Sequence, residues 1–399
     1  MKDLSAERIR NICLMAHGGA GKTTLAEAML FNTGVLERLG RIEDGTTTSD
    51  YDPEEIKRKN SVSTSICPCE WKNHKINLID TPGYFDFIGE VKQGIRVADA
   101  ALILLSARSG VAVGTEKSWD YANERKIPRM FFINKLDGEN ADFFGVLDQL
   151  HNTFGKNIVA FEFPIIENEE FVGYVDILSM KAKKFEKDKL VDIDIPSELN
   201  DKVGEMRNTL VEAIAETSEE LMMKFFDGEE FTPDEINSGL RQGITDFSIV
   251  PVFCGSALNN RGVETLMDAI VDLMPSPVDA GSVMVTKPGE DEAFELKVAE
   301  DSPLSALVFK TVADPFVGKI SLIRVFTGVL KSDTTVYNST TGKTEKIAQL
   351  SIQRGKKNIP IDRLIPGDIG AVAKLQNVNT NDTLCMQSNP VEVDKIVFP

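Results

Sequence analysis

Along about the first 155 residues, short continuous apolar runs alternate with stretches whose apolar residues recur at helical spacing. The runs "RNICLMA", "KINLID", "AALILLSA" and "RMFFINK" predict strands, because runs this short and this apolar suit strands covered on both faces. Helices are predicted between them, near 22–32, 86–98, 114–125 and 140–153. This is the rhythm of a mostly parallel sheet with helices on both faces. In such a sheet, ligands bind outside the carboxyl ends of the strands.

The rhythm breaks at about 156–248. "AFEFPIIENEEFVGYVDIL" reads as a hairpin turning near Asn168 to Glu170, and a long helical stretch follows. Within it, "TPDE" places Thr232 as N-cap, Pro233 at the first helical position and Glu235 as the reciprocal partner of a capping box. "SIVPVFCGSA" and "GVETLMDAIVDLM" then resume the strand–helix pattern, so the middle block reads as an α+β insertion in a domain of residues 1–280. "PSPVDAGSVMVTKPGEDEAF" is dense in Pro and Gly and predicts a linker over about 281–302. From 303 to 399 only strand signals occur: "SALVFKTV", "ISLIRVFTG", "TTVYNST", "EKIAQLSI" and "GAVAKL". Short strands with regular turns predict a small all-β barrel domain.

Composition narrows the class. The 399 residues are 42% hydrophobic and 27% charged, as in an ordinary globular protein of two or three domains. A net charge of −18 argues against a basic sleeve for nucleic acid, and no contact with DNA is expected. The longest apolar run is too short to span a bilayer, and "MKDLSAERIR" lacks the apolar core of a signal peptide. Five scattered cysteines fit a reducing cytoplasm; Cys67 and Cys69 have no second pair with which to hold zinc. "QRGKKN", Gln353 to Asn358, is the main basic cluster of the barrel and reads as a solvated loop before it reads as a contact for RNA phosphates.

Four strand ends carry the chemistry. "AHGGAGKTT", Ala16 to Thr24, lies between a strand and a helix, the context a phosphate-binding loop requires. Lys22 suits the β- and γ-phosphates, backbone N–H groups of Gly19 to Lys22 suit their oxygens, and the helix dipole favours an anion there. The Thr23 hydroxyl suits Mg2+. "DTPG" follows the next strand: Asp80 suits Mg2+ through water, and the Gly83 N–H suits a γ-phosphate. "NKLD" ends the fourth strand. Guanine presents two adjacent donors, N1–H and the 2-amino group, and the Asp137 carboxylate offers two acceptors, a match adenine lacks. The stem of Lys135 suits the base plane, and Asn134 suits a tie to the phosphate loop. In "GSAL", the N–H groups of Ser256 and Ala257 suit guanine O6. The expected nucleotide contacts are then His17, Gly18, Gly19, Ala20, Gly21, Lys22, Thr23, Thr24, Asp80, Gly83, Asn134, Lys135, Asp137, Ser256, Ala257 and Leu258, holding GTP or GDP.

With these motifs in this order, the whole chain resembles the first two domains of an elongation factor G-type translational GTPase, in particular a divergent paralogue group. "AHGGAGKTTL" resembles the family phosphate loop, and "GRIEDGTTTSDYDPEE" the segment leading into switch I. "DPFVGKISLIRVFTGVLKSDTTVYNSTTGKTEKI" resembles the family's second-domain barrel. The resemblance implies a monomeric, cytoplasmic GTP/GDP switch on the ribosome, with contacts to ribosomal RNA and, through the inserted subdomain, to the stalk protein. It also implies that the chain, ending at "VFP", is an N-terminal piece of a longer protein.

Three positions depart from the family pattern. Gly19 stands where the family has Asp, Asn60 where it has an apolar gate residue, and Tyr84 where it has His. Aligned back from Trp71, Ser61 keeps the switch I hydroxyl for Mg2+. The departures fall on groups that act during hydrolysis, with Lys22 and Tyr84 the expected catalytic residues, while the nucleotide-holding set is intact. Loss of a water-positioning group costs about 10²–10⁴ in rate. The expectation is tight GTP binding with slow or ribosome-dependent hydrolysis. The alternatives are a ribosome-protection factor and a non-hydrolysing, GTP-gated ribosome-binding regulator.

Overall fold

The computed structural model describes residues 4–187, 189–314 and 317–398. Pro315 and Phe316, inside the stretch that resembles the second-domain barrel, lie outside the described residues, as does Pro399. The chain packs as two compact units. One comprises Met1–Cys13, Thr33–Ala100 and Pro275–Pro399; the other comprises Leu14–Asn32 and Ala101–Met274.

The first hundred residues give β1 (Ile9–Ala16), α1 (Lys22–Asn32), α2 (Pro53–Arg58), β2 (Ser65–Trp71), β3 (His74–Asp80) and α3 (Ile88–Arg96). There follow β4 (Ala100–Ser106), α4 (Val113–Arg125), β5 (Arg129–Asn134), α5 (Phe143–Phe154) and β6 (Ile158–Ala160). The insertion contributes β7 (Glu162–Glu167), β8 (Glu170–Asp176), β9 (Lys181–Glu186), β10 (Lys189–Ile193), α6 (Asn200–Ala215), α7 (Glu219–Asp227) and α8 (Pro233–Thr245). It is closed by β11 (Val250–Cys254) and α9 (Val263–Leu273).

In the unit built on residues 101–274, the sheet order is β4-β5-β11-β6, all parallel, with β1 next to β4. Leu102 to Leu104, Phe131 to Ile133 and Val252 are essentially inaccessible, as strands covered on both faces must be. The inserted sheet is antiparallel, in the order β10-β9-β8-β7. Its first hairpin turns through Asn168 and Glu169, both at positive φ, the geometry a two-residue hairpin loop needs. A second hairpin, β9–β10, precedes the helices. Its lysine-rich sequence, Lys181 to Lys189, hides the apolar alternation, so the expectation of helix directly after the first hairpin is corrected here. Thr232 caps α8 as "TPDE" predicts: the Glu235 N–H donates to Thr232 Oγ1, and the Thr232 N–H donates to Glu235 Oε2 at 2.8 Å.

In the other unit, the order is β2-β3-β1. β2 was not legible, because Pro68 interrupts "SICPCEW"; the strand lies at the sheet edge, where proline's missing N–H does least harm. The expected linker is not structureless. β12 (Ser282–Thr286) and β13 (Ala293–Lys297) pair antiparallel within it, and β12 also pairs with a two-residue strand, Glu392–Val393.

Beyond lies an all-β antiparallel half-barrel, with eight strands among the described residues. Ser305–Asp314 and Gly318–Thr327 form its central pair. Leu304, Val308, Ile323, Val325, Leu364 and Leu384 belong to its core. "EKIAQLSI" is two strands, Lys343–Ile347 and Leu350–Arg354, lying toward opposite ends of the sheet order.

Within this unit the half-barrel is fastened to β2, β3 and α3. Lys75 in β3 pairs with Asp368 at 2.6 Å, and Arg324 pairs with Asp99 at 2.6 Å, all largely buried. The basic turn also serves here. Arg354 Nε donates to the Pro68 carbonyl at 2.9 Å and Gly355 N–H to the Ile66 carbonyl at 3.1 Å. The start of "QRGKKN" is therefore a packed contact, not a solvated loop; Lys356 and Lys357 remain exposed.

Candidate functional site

The phosphate loop, His17 to Gly21, connects β1 to α1. A parallel strand entering a helix leaves first-turn N–H groups without intrahelical partners, which is what an anion needs. Gly21 holds φ at +101°, and a Cβ there would stand 2.5 Å from Asn134 Nδ2, so only glycine fits. Gly19 is at φ +81° with open space where a Cβ would be. Lys22 and Thr23 are buried at the helix start, Gly18 and Thr24 are half-buried, and His17 is exposed. Gly114 at the start of α4 backs the loop so closely that a Cβ would lie 2.5 Å from His17 Cα.

The base-reading loops stand in the same unit. Asn134 ends β5, fully buried, and its amide joins two loops. Nδ2 donates to the Ala20 carbonyl at 2.9 Å, and Oδ1 accepts from the Ala257 N–H at 2.9 Å. Leu136 is buried, which leaves Lys135 (φ +66°) and Asp137 projecting on either side of it. The Leu136 N–H donates to the Gly255 carbonyl at 3.2 Å, closing this loop on the next.

Ser256 and Ala257 are buried and Leu258 is exposed. Their N–H groups are disposed differently from the expectation. The Ser256 N–H turns inward to the Arg261 carbonyl at 2.9 Å, and the Ala257 N–H is already on Asn134. A base oxygen would share the Ala257 hydrogen or take the Leu258 N–H, which meets no protein acceptor among the described residues.

Sequence reasoning missed what holds this loop. Asn260 exchanges two amide hydrogen bonds with Asn32 at the end of α1, at 2.9 and 2.6 Å. Glu162 Oε1 accepts from the Cys254 N–H at 2.8 Å just before the loop. Burial raises the Glu162 carboxyl to about 8.

In the other unit, Asp80 ends β3 and is buried. Its Oδ2 accepts from Ser49 Oγ at 2.7 Å. A hydroxyl brought to Asp80 within this unit is thus that of Ser49, in "GTTTSDY", a residue sequence reasoning passed over; Ser61 is half-buried in the loop after α2. That loop is shaped by Glu55, whose Oε1 accepts from the Val62 and Ser63 N–H groups at 3.0 Å each. Burial raises the Glu55 pKa above its ordinary value. Asn60 donates to the Arg58 carbonyl at 2.9 Å. Gly83 precedes Tyr84, which is 45% exposed at the start of a short 3-10 turn and whose phenol meets no partner among the described residues.

Among the described residues, no cluster of three or more His, Cys, Asp or Glu side chains suits a metal, and no helix is long and apolar enough to cross a membrane. The oxygen donors Thr23 and Asp80 are of the hard type Mg2+ takes.

Comparison with known proteins places this arrangement. The family model described as "Elongation factor Tu GTP binding domain" matches residues 7–276, and "Elongation factor G domain 2" matches residues 303–387. A crystal structure of a protein from Thermus thermophilus superposes with a TM-score of 0.86 at 32% identity, over 97% of this chain. This chain spans 55% of that protein's length. With a guanine-nucleotide-binding domain and the second domain both matched, the chain belongs to the elongation factor G-type translational GTPases.

Proposed function

We propose that the chain is a GTP/GDP switch acting on the ribosome, with hydrolysis that is slow or needs the ribosome. Its functional parts are a nucleotide-binding domain over 1–280, carrying an inserted subdomain at about 156–248, and a second domain over 303–399. The observation that carries the reading is the Asn134 amide, which bonds the phosphate loop on one side and the base loop on the other. A side chain that spans both loops makes phosphate and base recognition one event.

In this reading the phosphates lie on the N–H groups of Gly19 to Lys22, with Lys22 opposing their charge, and Asp137 takes guanine N1–H and the 2-amino group. Thr23, Asp80 and Ser61 would each supply a hard oxygen to Mg2+. The ion would offset charge on the β- and γ-phosphates. The Asp80–Ser49 hydrogen bond supports this assignment by keeping the carboxylate fixed at the strand end.

Tyr84 supports the slow-hydrolysis reading. Phosphoryl transfer depends on positioning and electrostatics, and at neutral pH phenols as a class exchange protons less readily than imidazoles. Turnover with purified ribosomes decides the matter. Multiple-turnover GTPase activity well below that of an ordinary elongation factor, raised by Tyr84→His, is expected. Full activity with Tyr84 in place would refute the slow-hydrolysis reading.

A further inference from the structure

The loop that reads guanine O6 is seated on the inserted sheet by three contacts. Glu162, first residue of β7, accepts the Cys254 N–H immediately before the loop, at 2.8 Å. Arg261, immediately after it, donates from Nη1 to the Phe171 carbonyl of β8 at 2.5 Å, and its guanidinium lies 5.3 Å from the centre of the Phe185 ring of β9. Thr265, one turn into α9, meets the hydroxyl of Tyr174, a fully buried residue of β8.

Arg261 matters most, because its backbone is part of the loop. It pairs with Ser256 through two hydrogen bonds of 2.9 Å, closing the four residues 257–260 into one turn. Its carbonyl also lies 2.5 Å from where a Cβ on Gly255 would stand, so the strand end and the loop exit are packed backbone to backbone. Wherever the guanidinium is pinned, the loop's outward N–H edge follows.

On the guanine-nucleotide reading above, we infer that Arg261 is a positioning residue for base specificity: the inserted sheet, through Arg261, sets where the Ala257 and Leu258 N–H groups meet the 6-oxo group. The insertion is then part of the machinery that tells guanine from other bases, as well as a separate surface feature. A guanidinium suits this task, since it can bond a carbonyl and lie over an aromatic ring at once.

The test compares GDP with 6-thio-GDP, which keeps N1–H and the 2-amino group for Asp137 and replaces only O6 by a weaker acceptor. Affinities are measured by calorimetry on the whole chain, with thermal unfolding as a control. The wild-type chain should prefer GDP. Arg261→Ala should weaken GDP by about tenfold or more while 6-thio-GDP changes little, as expected when one well-aligned hydrogen bond is lost. Arg261→Lys, which keeps a donor for the Phe171 carbonyl, should restore part of the preference. Phe185→Leu, which removes the ring but keeps apolar volume, should reduce it even if Arg261→Ala does not fold. Equal weakening of both ligands, or an unchanged preference, would overturn the inference and leave Arg261 a structural residue. If the wild-type chain held neither ligand, the nucleotide reading itself would fail, a result distinct from an unchanged preference.

Discussion

Asp137 and Glu162 are both carboxylates, and their surroundings give them opposite tasks. Asp137 is exposed beside the buried Leu136, where its carboxylate can face a ligand. Asp137→Asn should shift preference from guanine to xanthine nucleotides, because an amide donates where the carboxylate accepted. Unchanged GTP affinity in that variant would remove Asp137 from the base site.

Glu162 is buried, with Oε2 meeting no partner among the described residues, and its pKa rises to about 8 from an ordinary 4.5. Between these values the unfolded chain ionises and the folded chain keeps its proton, so stability should fall as pH rises from about 5 to 8 and level off above. The loss should amount to a few kcal/mol. Glu162→Gln keeps an acceptor for the Cys254 N–H and should flatten that part of the profile. A wild-type denaturant midpoint that is independent of pH over this range would contradict the assignment.

At this scale the phosphate loop and "NKLD" are short contiguous motifs, and the structure places both at strand ends as the sequence suggested. Ser49, Asn260 and Arg261 were not legible, since each works through a partner 31, 228 or 90 positions away.

Among elements, the strand Ser305–Asp314 makes the sharpest prediction. Its Lys310 is 4% exposed, and its ammonium donates to Ser63 Oγ, to the Thr64 carbonyl at 2.8 Å and to Glu90 Oε2 at 2.6 Å. Burial pushes the Lys310 pKa down, and Glu90 pulls it back up. One cation thus joins the half-barrel to the residues leading into β2 and to the first turn of α3. Removing one partner of a buried pair leaves the other uncompensated. Lys310→Ala should therefore cost about 2–4 kcal/mol, near the lower end of such losses because Glu90 is a quarter exposed. Adding Glu90→Gln should recover part of the loss. A destabilisation below about 1 kcal/mol in urea unfolding would show that the triad contributes little.

The elements themselves were legible where period and caps agreed, as in α8 with its Thr-Pro-Asp-Glu start. They were missed where charge or proline masked the pattern: lysines in β9–β10, Pro68 in β2, and Pro and Gly around β12–β13. Those strands form because tertiary pairing overrides weak local preference.

For the whole molecule, the two family matches and the 32% identical Thermus structure agree on a nucleotide-binding domain followed by an elongation factor G second domain. The net charge of −18 means that any ribosomal RNA contact must be a local basic patch; Lys356 and Lys357, exposed beside the packed Arg354, offer one. The central claim is more elementary: a glycine-shaped phosphate loop and the Asp137 loop, joined by Asn134, select a guanosine nucleotide. Calorimetric titration of the whole chain with GTP and ATP, in the presence of magnesium, tests it most directly. GTP binding at micromolar or lower concentration, with ATP at least a hundredfold weaker, is the predicted result. ATP held as tightly as GTP, or neither held at all, would contradict it.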